Sequence, residues 1–134
     1  MKQILLLIFF CSAISLSSQT IYKVKIRKPI KEKCSASILG KSGGKISTYE
    51  LRTVNQIETS GPCDYQIISY VFSFVVRQML IEWKSTEKKV NPSIKNALRS
   101  FKPGEKFWVE KIIVKNNVTG RYFTMPPLKF IVTL

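Results

Sequence analysis

The sequence contains no histidine. That removes the side chain most used as a general acid or base near neutral pH, the usual partner of a nucleophilic Ser or Cys, and the commonest metal ligand. Acidic residues are scarce, eight against 22 Lys plus Arg. Glu32, Glu50, Glu58, Asp64, Glu82, Glu87, Glu105 and Glu110 are scattered along the chain, with no close pair of the kind that a glycosidase or a hard-cation site needs. Cysteine occurs three times, too few without His to complete a zinc site and too widely spaced for a thioredoxin-like pair. The expectation is a chain with no catalytic residues, no cofactor, no metal and no small-molecule substrate, whose work is binding or structure.

What is present suits one folded domain. The chain has 134 residues, 45% of them apolar, with eight Phe, five Tyr and two Trp, enough to fill a core and unlike a disordered basic tail. The net charge is +14, which favours anionic partners or simply solubility.

The first residues read as an address. Lys2 precedes an apolar run from Ile4 to Ile14, and Ser15, Leu16, Ser17 and Ser18 supply small residues before Gln19. This is the pattern of a secretory signal peptide over residues 1–18, with cleavage after Ser18 or one residue earlier. The run is shorter than the roughly 20 residues of a membrane span. Cys11 does not suit lipid attachment, because bulky Phe9 and Phe10 stand where small residues are required. Export through the general secretory pathway, to the periplasm or to the outside, is the expected localisation.

Export gives Cys34 and Cys63 a meaning, since an oxidising compartment favours a bridge and two cysteines pair in only one way. The expected disulfide closes a loop of about 30 residues, worth roughly 3–4 kcal/mol by chain entropy. Two separate thiols are the alternative.

Residues 19–37 form a basic extended segment. Lys23, Lys25, Arg27, Lys28, Lys31 and Lys33 are set among Ile21, Val24, Ile26 and Ile30. It reads first as a leading edge strand whose lysines discourage aggregation, and second as an arm that meets an anionic surface. A glycine-bearing loop follows, with Gly40, Gly43 and Gly44. Its Gly40-Lys41-Ser42 imitates the tail of a phosphate-binding loop, but Ser35 stands where that loop requires glycine. Ser47 and Glu50 have capping-box spacing, which predicts a helical turn at 48–52.

The segment 66–76 alternates and reads as the central strand, with Ile68, Tyr70, Phe72, Phe74 and Val76 expected on the core face. Residues 79–86 read as a paired or bent continuation. Asn91 and Pro92 open a helix over about 91–102, with Ile94, Ala97, Leu98 and Phe101 on one face, ended by Pro103-Gly104. Residues 107–114 and 122–125 read as a hairpin turning on Asn116, Asn117 and Gly120. Asn117-Val118-Thr119 also matches a glycosylation acceptor, but the turn reading is preferred. Pro126-Pro127 breaks the pairing, and Leu128, Phe130, Val132 and Leu134 alternate in a last strand.

Several of these segments, in order, resemble one family: 41–47 (KSGGKIS) with Glu50-Leu51, 68–73 (ISYVFS), 97–112 (ALRSFKPGEKFWVEKI) and 125–130 (MPPLKF). The chain over residues 38–134 is similar to the C-terminal domain of the gliding-motility and type IX secretion protein GldM (PorM). The run from the helix through Pro-Gly into the strand is the most specific part. The resemblance implies an immunoglobulin-like β-sandwich, here mainly β with one short helix and one helical turn, in the periplasm. It implies a non-catalytic module that contacts an envelope or secretion-system protein. Motor-binding, helical and upstream sandwich segments of that family have no counterpart here, so the terminal contact module alone is expected. Lys41, Ser42, Gly43, Gly44 and Lys45 are the candidate partner-binding residues. The alternative function is a basic domain on an anionic envelope surface such as lipopolysaccharide, acidic polysaccharide or phospholipid. Nucleic acid is disfavoured, because only charge points to it.

Overall fold

The computed structural model describes residues 34–134. Along them run β1 (Ser35–Ser37), β2 (Gly44–Ser47), α1 (Thr48–Thr53), β3 (Glu58–Ser60), β4 (Tyr65–Val76), β5 (Met79–Ser85), α2 (Pro92–Ser100), β6 (Lys106–Asn116), β7 (Tyr122–Met125) and β8 (Leu128–Thr133). The chain is mainly β, in two open sheets. β1 and β3 form an antiparallel ribbon, and the larger sheet has the order β2-β8-β6-β4-β5, with β7 also on β6. Only β2 and β8 pair in parallel among the described residues.

Both predicted helices form for the predicted reasons. The Ser47 hydroxyl accepts from the Glu50 amide (3.1 Å) and the Glu50 carboxylate accepts from the Ser47 amide (2.8 Å), completing the capping box of α1. Asn91 Oδ1 caps α2 by accepting from the Ile94 amide (2.8 Å). Ile94, Ala97, Leu98 and Phe101 are all buried. The Phe101 ring, just past α2, stacks on Phe107 and meets Phe72 and Phe74, and Phe107 stacks in turn on Phe130. Helix and sheet therefore share one core, which also takes in Ala36 and Ile38 from the β1 region. The packed body accordingly begins at least as early as Cys34, upstream of the boundary at 37/38.

The core face of the sheet changes parity along a line. On β4 the buried apolar series is Phe74, Phe72, Tyr70, Ile67; on β6 it is Phe107, Val109, Ile112, Val114; along β8 and β7 it is Val132, Phe130, Leu128, Met125. Each series steps by two except for one step of three. On β4 and β6 the cause is a compensating pair of register shifts around Ser69, with Lys111 in the left-handed region at φ 49°. On the third strand the break is Pro126-Pro127, after which the pairing to β6 resumes in the same register.

This corrects the reading of the central strand. Tyr70, Phe72 and Phe74 do face the core, but Ile67 takes the place expected for Ile68, because the extra residue flips the alternation. Val76 is 41% exposed, since it lies at the hairpin tip beyond the core. At the chain's end Leu134 is 97% exposed, outside the last strand.

Cys34 and Cys63 are joined in a disulfide with their Cα atoms 6.0 Å apart. It fastens the entry of β1 to the turn after β3, and a bridge of this kind suits an oxidising, exported compartment. No helix among the described residues is long and apolar enough to cross a membrane. The leader and the basic segment with Lys23, Lys25, Arg27, Lys28, Lys31 and Lys33 lie outside the described residues.

Candidate interaction surface

The glycine-bearing loop sits at one edge of the large sheet, between β1 and β2. Ile38 and Lys41 exchange two backbone hydrogen bonds (2.9 Å each) around Leu39 and Gly40, both with positive φ, a two-residue turn of the type that suits twisted strands. Gly43 then passes against β8 so closely that a Cβ there would meet the Lys129 carbonyl oxygen at 3.0 Å.

Lys41 fastens this loop. Its Nζ lies 2.8 Å from Glu50 Oε1 and donates to Glu50 Oε2 (3.1 Å) and to the Lys45 carbonyl (3.2 Å). The Lys41 ammonium and the Ser47 amide together hold the Glu50 carboxyl below the usual carboxylate range. Ser42 Oγ is within hydrogen-bond distance of Ser35 Oγ (3.1 Å), which in turn meets Ser60 Oγ (2.9 Å). The five candidate residues are thus contiguous but unequal. Lys41 and Gly43 are half-buried and occupied in holding the loop, whereas Ser42, Gly44 and Lys45 face solvent.

Two further residues extend this surface. Tyr49 is 76% exposed and Leu39 43% exposed. Their signal in the sequence was weak: α1 is so short that it buries only Leu51, which leaves Tyr49 on the outer side. An exposed Tyr is a residue type enriched at the centres of protein interfaces.

At the opposite edge of the sheet, the β4–β5 hairpin ends in Val75, Val76, Met79 and Leu80, between 41% and 63% exposed. Elsewhere the surface has shallow clefts. One of about 420 Å³ includes Gln56, Glu58, Tyr65 and Lys88, and a neighbour of about 400 Å³ includes Ile68, Thr86, Glu87 and Lys89. In the first, Gln56 Nε2 donates to Glu58 (3.0 Å). The Asn117 side-chain amide, in the β6–β7 turn, donates to Asp64 Oδ1 (2.7 Å) and so ties that turn to the segment before β4. Among the described residues no group of three or more Cys, Asp or Glu is placed to hold a metal ion.

The chain matches no protein-family model and no curated protein sequence.

Proposed function

We propose that the chain is a non-catalytic exported interaction domain, an immunoglobulin-like two-layered module of the GldM C-terminal kind, which contacts an envelope or secretion-system protein of the gliding or type IX machinery. The observation that carries this reading is the locked loop. Lys41 ties the glycine turn to α1 and to the Lys45 carbonyl, so Leu39, Ser42, Lys45 and Tyr49 are offered on a fixed backbone, and preorganisation lowers the entropic cost of binding. The two sheets over one shared core support the fold-level part of the reading, and the scattered acids support a non-catalytic role.

The test is capture from envelope extracts of the native cell with the tagged exported chain. One protein should be retained by wild type and lost with Tyr49→Ser plus Lys45→Glu, while Lys95→Glu, on α2, keeps it. Recovery of nothing above background, or of proteins indifferent to these changes, overturns the proposal.

A second reading, attachment to an anionic surface, is favoured by the charge balance. Among the described residues Lys41–Glu50 is the one ion pair, so the other described lysines and arginines are not salt-bridged to a carboxylate there, and the whole chain carries a net charge of +14. Binding to anionic phospholipid vesicles that weakens steeply with salt supports it, and a flat salt dependence removes it.

A further inference from the structure

We infer that two copies of this chain pair through β5, antiparallel about a two-fold axis at Trp83, so that the large sheet runs on from one subunit into the other. The inference concerns the sheet edge opposite the glycine-bearing loop and stands whether or not that loop binds a partner.

β5 is a bare edge. Its strand partner is β4 alone, and among the described residues no other backbone–backbone hydrogen bond reaches residues 79–85. It has seven residues with neither proline nor bulge, and an edge without these protections is a template for another strand.

The hairpin fixes which groups face outward. The two-residue turn Arg77-Gln78 is closed by Val76 opposite Met79. That pair exchanges hydrogen bonds, as then do Phe74 with Ile81, Phe72 with Trp83 and Tyr70 with Ser85. The amides and carbonyls of Leu80, Glu82 and Lys84 are therefore the ones aimed at the free edge. A second β5 must align its own bonding residues with these.

Among the two-fold registers that do so, charge favours the one that sets opposite charges against each other. Placing the axis at Glu82 sets Glu82 against its own copy, and placing it at Lys84 sets lysine against lysine. Like charges directly opposite destabilise a pair. With the axis at Trp83, Glu82 lies opposite Lys84 of the partner subunit, and Lys84 opposite Glu82 of the partner subunit. Both side chains are exposed and on one face.

The experiment is sedimentation equilibrium of the exported chain across about 5–500 μM, with circular dichroism to verify folding of each variant. Wild type should show a concentration-dependent dimer. Glu82→Lys and Lys84→Glu, at exposed positions, should each weaken it tenfold or more, and the double swap Glu82→Lys with Lys84→Glu should restore it. A monomer throughout overturns the inference, as does a dimer indifferent to the single reversals. Dimerisation that the double swap fails to restore removes the Trp83 register.

Discussion

Gly43 and Lys129 define how closely the loop can approach the sheet: a Cβ on Gly43 would press on the Lys129 carbonyl oxygen at 3.0 Å, tighter than ordinary contact. Gly43 also has φ +147°, within the range that disfavours side chains. Gly40 differs, with positive φ but open space around it. Gly43→Ala should destabilise the fold by about 1–3 kcal/mol, through strain and displacement of β2 from β8. Gly40→Ala should cost only about 1 kcal/mol, from backbone strain alone. Urea unfolding of the two variants checks the order, and an equal loss removes the close-approach argument.

Ser47 and Glu50 cap α1 reciprocally. Ser47→Ala should lower stability by about 1 kcal/mol. Glu50 gives a pH signature. Its folded carboxyl is held below its unfolded value, chiefly by the Lys41 hydrogen bond and then by the Ser47 amide. The stabilisation is fully present above the unfolded value of about 4.3, and is lost as pH falls through the folded one. The stability difference between wild type and Glu50→Gln should therefore be constant near neutrality and shrink in acid, as read by denaturant midpoints across pH.

These elements divide what could be read in the sequence from what could not. The two helices were legible because their caps are local: Ser47 with Glu50, and Asn91 with Pro92, act within one turn. The hairpin at Asn116–Gly120 was legible for the same reason, with Asn116 Oδ1 accepting from the Val118 and Thr119 amides. The parity switch was not, because a bulge at Ser69 exists only relative to β6, and alternation of Ile67 and Ile68 with their neighbours fits either face. The loop was legible as glycine-rich, but the capture of Lys41 by Glu50 depends on α1 folding back over β2. Tyr49 is not legible as an exposed anchor, because a helix of six residues has too little periodicity to assign a solvent side.

The Cys34–Cys63 bridge closes a loop that contains β1, β2, α1 and β3. Replacing both cysteines by serine should cost roughly 3–4 kcal/mol by the chain-entropy estimate. Thermal unfolding with and without reductant should reproduce the loss in wild type and show no reductant effect in the double variant. Reductant sensitivity of the double variant would falsify the assignment.

Tyr70 supplies an alkaline counterpart to Glu50. It is 1% exposed, and its hydroxyl donates to the Lys89 carbonyl (3.4 Å). Burial raises its pKa and Glu87 adds to the rise, against a lowering by the Ser85 hydroxyl. A phenol harder to ionise in the folded state than in the unfolded one stabilises fully below the unfolded value of about 10, and loses that contribution as pH rises. Wild type should therefore fall in stability above pH 10 relative to Tyr70→Phe, while below pH 9 the variant is the less stable by about 1 kcal/mol for the lost hydrogen bond. Unfolding midpoints on either side of pH 10 decide this.

Arg77 and Gln78 make the β4–β5 turn with φ of 49° and 66°, although neither is glycine. Left-handed conformation costs an ordinary residue roughly 1–2 kcal/mol, whereas Asn tolerates it and Gly adopts it at an entropic cost of about 0.5–1 kcal/mol. Arg77→Asn with Gln78→Gly fits this turn, and the pair should stabilise the domain by about 1 kcal/mol, or raise the melting temperature by roughly 4 °C for a domain near this size. The measurement belongs at low micromolar concentration, where association through β5 does not contribute. A lowered melting temperature would show that Arg77 or Gln78 makes a compensating contact worth more than the strain it carries.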